Sequence, residues 1–194
     1  MPEPRTPAFV DGLPVTEVAL GYAADVHRGQ CREVDGAPFI VHPLEVASLL
    51  FFVGASDTVV AAGVLHDVIE DTDAVAGDLR ARVGETVTTL VLAVSEDDRI
   101  DDFDARKAAL RAQVAAAGDD ALLLFAADKV SKVRELRVAR ERGVPDDPAA
   151  AHKLDHYRRS LDLLDELAPG TPLVLRLGRE LDQLDALPQL APAR

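Results

Sequence analysis

The stretch GVLHDVIEDT, residues 63–72, turns abruptly from apolar to acidic and carries His66, Asp67, Glu70 and Asp71. Successive residues on a helix differ in direction by about 100°. His66 and Asp67 can therefore lean toward one point, and the i, i+4 spacing sets His66 over Glu70 and Asp67 over Asp71. One imidazole and three carboxylates in so short a span are costly to bury without a compensating cation. A divalent metal supplies that charge, and a mixed His/carboxylate set suits Mn2+, Fe2+ or Zn2+ better than Ca2+. The plainer reading, surface acids at a helix end, sets the carboxylates against the negative end of the helix dipole. A local rule broken in this way marks a functional site.

Asp128 is the second candidate. It follows Leu122, Leu123, Leu124, Phe125, Ala126 and Ala127, so it lies in or beside the core. A lone Asp is rarely buried unpaired. It is either a ligand or the partner of Lys129, Lys132 or Arg134. His42, just before Pro43, suits the first turn of a helix. Such a residue alone is more often a cap or a packed side chain than a ligand.

These residues need helices to position them, and nearly every segment reads as helix. Val18, Ala19, Tyr22, Ala23 and Val26 recur at helical spacing and predict a helix over about residues 16–30, after a Pro-punctuated arm. Residues 31–41 read as a loop punctuated by Gly36 and Pro38. A helix beginning near His42 continues through Leu50. Ser56 or Asp57 caps the next, which is apolar all round over residues 59–65, hence central and buried, and which runs on into the acidic cluster. Short and long helices over residues 78–83 and 85–94 are separated by Gly84. An amphipathic helix over about residues 101–117 ends at Gly118. Asp119 and Asp120 start a long helix that Gly143 and Pro145 end, and two more span about residues 148–167 and 172–187. The expected fold class is all-α, a helical bundle. A single domain over residues 1–194 is expected, its core at about residues 15–140 with the C-terminal helices packed on it.

Composition agrees with this reading and narrows the function. Hydrophobic residues are 48% of the 194 and aromatics only 4%, so the core is built from Ala, Leu and Val in close-packed helices. The net charge of −13 repels nucleic-acid backbones, which argues against a DNA or RNA partner. A small phosphorylated substrate remains compatible, because it needs only a local patch of Lys, Arg or metal. The lone Cys31 has no partner for a disulfide within the chain, which fits a reducing compartment. No signal peptide or membrane span is read, so a cytoplasmic setting is expected. A homo-oligomer is compatible with the sequence.

The set His42, His66–Asp67 and Asp128 resembles the H…HD…D signature of the HD-domain phosphohydrolase superfamily. It is most similar to the hydrolase domain of the RelA/SpoT alarmone enzymes and the small stand-alone alarmone hydrolases. The stretches that carry the resemblance are HRGQCREVDGAPFIVHPLEVA, GVLHDVIEDT and FAADKVSKVREL, in that order along the chain. With the helices between them they cover roughly residues 15–140. The resemblance implies an HD-domain bundle with one Mn2+ (Fe2+, Zn2+ or Mg2+ as alternatives) held by His42, His66, Asp67 and Asp128. It implies that Glu70 and Asp71 place and activate the attacking water, and that Arg32 packs on a nucleotide base. It further implies removal of the 3′-pyrophosphate of guanosine tetra- or pentaphosphate. Lys129, Lys132, Arg134 or Arg28 would steady the remaining phosphates.

Two positions depart from the family pattern: Lys132 stands where Asn is usual, and Glu33 where Lys is frequent. Both bear on the nucleotide rather than the metal. They keep open a different nucleotide substrate, such as a deoxynucleotide or the 2′-phosphate of NADPH, or a degenerate ligand-binding module. Cys31 has no evident His partner. His27 reads as a helix-face or supporting residue. His152, His156, Tyr157, Arg158 and Arg159 read as a solvated face more readily than a pocket lining, and the run DDRIDDFD as a solvated loop or helix start.

Overall fold

The computed structural model describes residues 7–32, 35–145 and 150–188. A 3-10 turn at Ala8–Val10 leads into α1 (Pro14–Val26), α2 (Val41–Phe52), α3 (Asp57–Leu65) and the single turn α4 (Val68–Asp71). These are followed by α5 (Ala76–Val94), α6 (Phe103–Ala117), α7 (Asp119–Glu141), α8 (Ala150–Leu167) and α9 (Pro172–Asp185). Among the described residues no strand forms; Cys31 and Pro38 make one isolated β-bridge. No described helix is long and apolar enough to cross a membrane.

The fold is built around α3 and α7. Every residue of α3 from 59 to 65 is buried, as its all-round apolar sequence requires. It packs against α1, α2, α5 and α7, while α7 also packs against α6, α8 and α9. Small residues let the helices approach. A Cβ added at Gly63 would fall 2.5 Å from Leu50 Cδ1 and 3.4 Å from Ala47 Cα. α2 and α3 thus pack closely at Gly63, where a side chain would meet Leu50. Ser56 caps α3, its hydroxyl accepting from the Val59 N–H. Asp57 serves a different helix. Its carboxylate accepts from the Val15 and Thr16 N–H groups, both at 2.9 Å, and from the Thr16 hydroxyl at 2.6 Å. It satisfies the free N–H groups that open α1.

Several boundaries differ from the sequence expectation. The buried helix does not run on into the acidic cluster. It stops at Leu65, and His66 and Asp67 form a turn before α4. Asp67, at φ −94° and ψ −6°, opens α4, and its carbonyl accepts from the Asp71 N–H at 2.9 Å. α1 ends at Val26 rather than near Gln30, with Gly29 at φ +84° closing the turn beyond it. Gly84, at φ +83°, kinks α5 where the two shorter helices were expected to part. α6 starts at Phe103 because the Asp102 carboxylate caps it, accepting from the Ala105 N–H at 2.8 Å. The expected start of α8 near Pro148 lies outside the described residues. Leu173, Val174, Leu177, Leu181 and Leu184 form the buried face of α9, which packs on α7.

Candidate active site

Three separate elements bring the sequence candidates together. His42 stands in the first turn of α2, His66 and Asp67 in the break between α3 and α4, and Asp128 midway along α7. The two imidazoles face each other with Nε2 atoms 3.1 Å apart. His42 Nε2 lies 3.3 Å from Asp67 Oδ2 and 3.3 Å from Asp128 Oδ1. His66 Nε2 lies 3.1 Å from Asp67 Oδ1 and 3.5 Å from Asp128 Oδ1. All four residues are buried. His66 and Asp67, adjacent in the turn between α3 and α4, lean toward one point as neighbours about 100° apart can.

The far side of each ring fixes which nitrogen faces the cluster. His66 Nδ1 lies 2.9 Å from the Gly63 carbonyl, which can only accept, so Nδ1 carries the hydrogen. His42 Nδ1 lies 2.9 Å from Ser131 Oγ. Asp67 Oδ2 and Asp128 Oδ1 are buried without a hydrogen bond. Two ring nitrogens and two carboxylates thus converge with acceptor capacity to spare, which is the chemistry of a divalent-cation site. Among the described residues, His42, His66 and Asp128 each present a donor atom within 4.8 Å of the others, and Asp67 touches both rings.

The electrostatics follow the crowding. Burial would lower the His66 pKa, but Asp67 and Asp128 outweigh it and raise it to about 9. Burial would raise Asp67, but His66, Lys132 and His42 hold it below the usual range. Asp128 is likewise held down against burial by Lys129, His42 and His66. Lys129 Nζ donates to Asp128 Oδ2 at 2.6 Å, and Lys132 Nζ stands 3.7 Å from Asp67 Oδ2.

The cluster lines a cavity of about 640 Å³. Glu70 and Asp71 line it beside the histidines. The Glu70 carboxylate accepts from the Glu96 N–H at 3.0 Å. Burial first, and the nearby Asp67 second, push its pKa up to about 7. Asp71 is raised by the same two causes. Arg32, Lys129 and Lys132 line the wall. Arg32 is held by Asp35 and lies 3.9 Å from Glu135.

Two of the expected phosphate-binding residues are not brought to this cavity. The Arg28 side chain is 79% exposed and pairs with Asp25 at 2.6 Å, because α1 ends one turn early and leaves it on the outer surface. Arg134 pairs with Glu45 at 3.0 Å and lines separate surface grooves. Glu33 lies outside the described residues. His27 is buried against Phe39, ring centroids 4.8 Å apart, and Cys31 is exposed. His156 and Tyr157, read from the sequence as more readily solvated, are buried and line the cavity. His152, Arg158 and Arg159 are exposed. Sequence reasoning missed Lys107 and Lys153, which also line it. Nothing local distinguishes them from other lysines on amphipathic helices.

The HD-domain family model matches residues 19–157. This chain belongs to the HD-domain family. Over 124 residues it is 38% identical to a Streptomyces coelicolor protein named GTP pyrophosphokinase, covering 62% of this chain and 14% of that one. Over 125 residues it is 34% identical to the guanosine-3′,5′-bis(diphosphate) 3′-pyrophosphohydrolase of Aquifex aeolicus, covering 63% of this chain and 18% of that one. The chain therefore spans less than a fifth of these curated relatives. A solved structure described as a metazoan ortholog of SpoT that hydrolyzes ppGpp is similar throughout. It shows a TM-score of 0.76 and 27% identity over 93% of this HD-domain chain and 98% of that one. The fold is therefore the HD-domain helical bundle.

Proposed function

We propose that this HD-domain chain is a metal-dependent phosphohydrolase acting on a phosphorylated nucleotide, with guanosine tetra- or pentaphosphate as substrate and the 3′-pyrophosphate as the group removed. The observation that carries the reading is the convergence of His42, His66, Asp67 and Asp128 on a cavity that Glu70, Asp71 and several cationic side chains also line. The resemblance of the whole fold to a ppGpp-hydrolysing protein supports the substrate class.

His42, His66, Asp67 and Asp128 would hold the cation, Mn2+ in this reading. When bound, it acidifies water and offsets the charge of the phosphoryl oxygens. Glu70 is the general base. Its pKa near 7 lets it be charged yet still accept a proton at neutral pH. The water oxygen bonds to phosphorus as its proton passes to Glu70, the bond from phosphorus to the 3′ oxygen breaks, and that oxygen takes the proton from Glu70 to leave as a hydroxyl. Asp71, one position on, orients the water. Lys129 and Lys132 neutralise phosphate oxygens, and Arg32 stacks on the base while its charge stays within the cavity. A reducing cytoplasmic setting suits the exposed Cys31.

The test is phosphate and pyrophosphate release from guanosine tetraphosphate, NADPH and deoxynucleotides with Mn2+ present. The same panel is applied to Lys132→Asn combined with Glu33→Lys. Turnover of the tetraphosphate by the wild type is expected. Activity toward it only in the double variant would show that the chain keeps the chemistry but has a different substrate. No turnover of any ester by either form would leave a binding module.

A further inference from the structure

The two histidines of the cluster are anchored by different means. His66 is held by the backbone carbonyl of Gly63, an acceptor that no side-chain substitution removes. His42 is held by Ser131, whose hydroxyl donates onward to Glu45 Oε2 at 3.1 Å. The other oxygen of Glu45 accepts from Arg134 Nη1 at 3.0 Å. Ser131 is 1% exposed, and so is His42. Ser131 lies three residues after Asp128 on α7, and Glu45 three after His42 on α2, so each shares a helix face with its neighbour at the cluster.

We propose that Ser131 and Glu45 are positioning residues that select the ligand form of His42. The inference rests on the metal reading given above. A hydroxyl has one hydrogen, and a carboxylate at neutral pH only accepts. With its hydrogen committed to Glu45, Ser131 can only accept from His42. The imidazole hydrogen is thereby placed on Nδ1, and Nε2 presents its lone pair to the cluster. Without Glu45 the hydroxyl is free to rotate and donate to Nδ1. The ring hydrogen would then sit on Nε2, where it meets Asp67 and Asp128 as a donor and cannot ligate. The chain of contacts also ties α2 to α7, the helices that supply His42 and Asp128. Partners of this kind on a ligating His typically govern metal affinity by about 10–100-fold.

Mn2+ titration of the purified apoprotein, followed by the electron paramagnetic resonance of free Mn2+, reads the effect. Ser131→Ala is expected to weaken binding by about 10–100-fold. Ser131→Thr, which keeps a hydroxyl, should restore most of it, and apoprotein melting should change little. Glu45→Ala reports the same loss and serves where Ser131→Ala is too unstable to purify. Wild-type affinity in both Ser131→Ala and Glu45→Ala would overturn the relay while leaving the metal site intact. A wild-type chain that binds no Mn2+ would overturn the metal reading and the relay with it.

Discussion

At the scale of single residues, the acids in and beside the cluster divide into those held charged and those whose pKa is raised. Asp67 and Asp128 are held below the usual carboxylate range by the imidazoles and lysines around them. Glu70 is pushed the other way, to about 7. Environments that drive titratable groups apart are how acid and base roles are assigned. Glu70→Gln is therefore expected to keep the fold and bound Mn2+ while turnover falls by about 10²–10⁴-fold. Single-turnover assays paired with elemental analysis check this, and loss of the metal instead would make Glu70 a ligand. His156 gives a second prediction. Burial, with Lys129, Lys107 and Arg111 adding to it, lowers its pKa to about 2. The folded state thus refuses a proton that the unfolded chain accepts below about 6.5. His156 costs nothing above that pH. As pH falls further it removes stability at about 1.4 kcal/mol per pH unit. Melting of wild type and His156→Gln from pH 8 to pH 5 should show the wild type losing ground only below about 6.5. Parallel curves would refute the assignment. Of these residues His66, Asp67, Glu70 and Asp71 were legible as candidates in the sequence, because the apolar-to-acidic switch is local, and Asp128 from the apolar run before it, whereas His42 joined them only through the family resemblance. His156 was not legible, since its burial depends on α6 and α7 lying against α8.

At the scale of elements, two devices shape the site, and they differ in how far sequence reveals them. The central helix was readable from its unbroken apolar run. Its break after Leu65 was not, because neither Gly nor Pro marks the position and it depends on tertiary contacts. Asp57 was readable as a capping residue, but the N–H groups it satisfies lie 41 and 42 positions away on α1. α2 and α3 pack closely at Gly63. Its absent Cβ admits Leu50, and its carbonyl anchors His66. Gly63→Ala gains helix propensity worth about 1 kcal/mol but inserts a methyl group into a packed contact, which typically costs about 1–3 kcal/mol. The obstacle is the end of Leu50, which is fully buried and must swing aside within the core, whereas the Ala47 backbone lies at ordinary contact distance. The net expectation is a loss of about 1 kcal/mol in urea unfolding, set by the larger of these two effects. Shortening the facing side chain with Leu50→Val should relieve part of it, and the double-mutant cycle should then show favourable coupling. Strictly additive losses would mean that the crossing tolerates the methyl group elsewhere.

At the scale of the whole molecule, an acidic chain gathers cationic side chains around one cavity, and its helix α8 supplies part of that lining. Lys153, His156 and Tyr157 come from α8. α9 lies along α7, the helix that carries Asp128. The family model ends at residue 157, within α8, so α9 lies wholly outside the matched segment. If α8 and α9 were accessories, a chain ending at residue 149 would still fold and bind metal. Packing argues the opposite. Leu173, Val174, Leu177, Leu181 and Leu184 are each at most 3% exposed. Burying a Leu or Val contributes about 1.5–3 kcal/mol, so these five together rival the ~5–15 kcal/mol that separates a folded domain from its unfolded state. Deletion would also lay bare the face of α7 against which they pack. The shortened chain is therefore expected to lose its cooperative thermal transition, to aggregate on size-exclusion chromatography and to bind Mn2+ far more weakly. The full chain should melt in one transition, with α8 and α9 unfolding along with the cluster-bearing helices. Separate transitions, or a truncated chain that stays monomeric and titrates with Mn2+ as the full chain does, would make the bundle up to α7 a self-sufficient unit. The same comparison locates the cationic wall, because a folded truncated form would retain Lys129 and Lys132 but not Lys153. Its KM for the nucleotide would then report what losing α8 and α9 together costs the site.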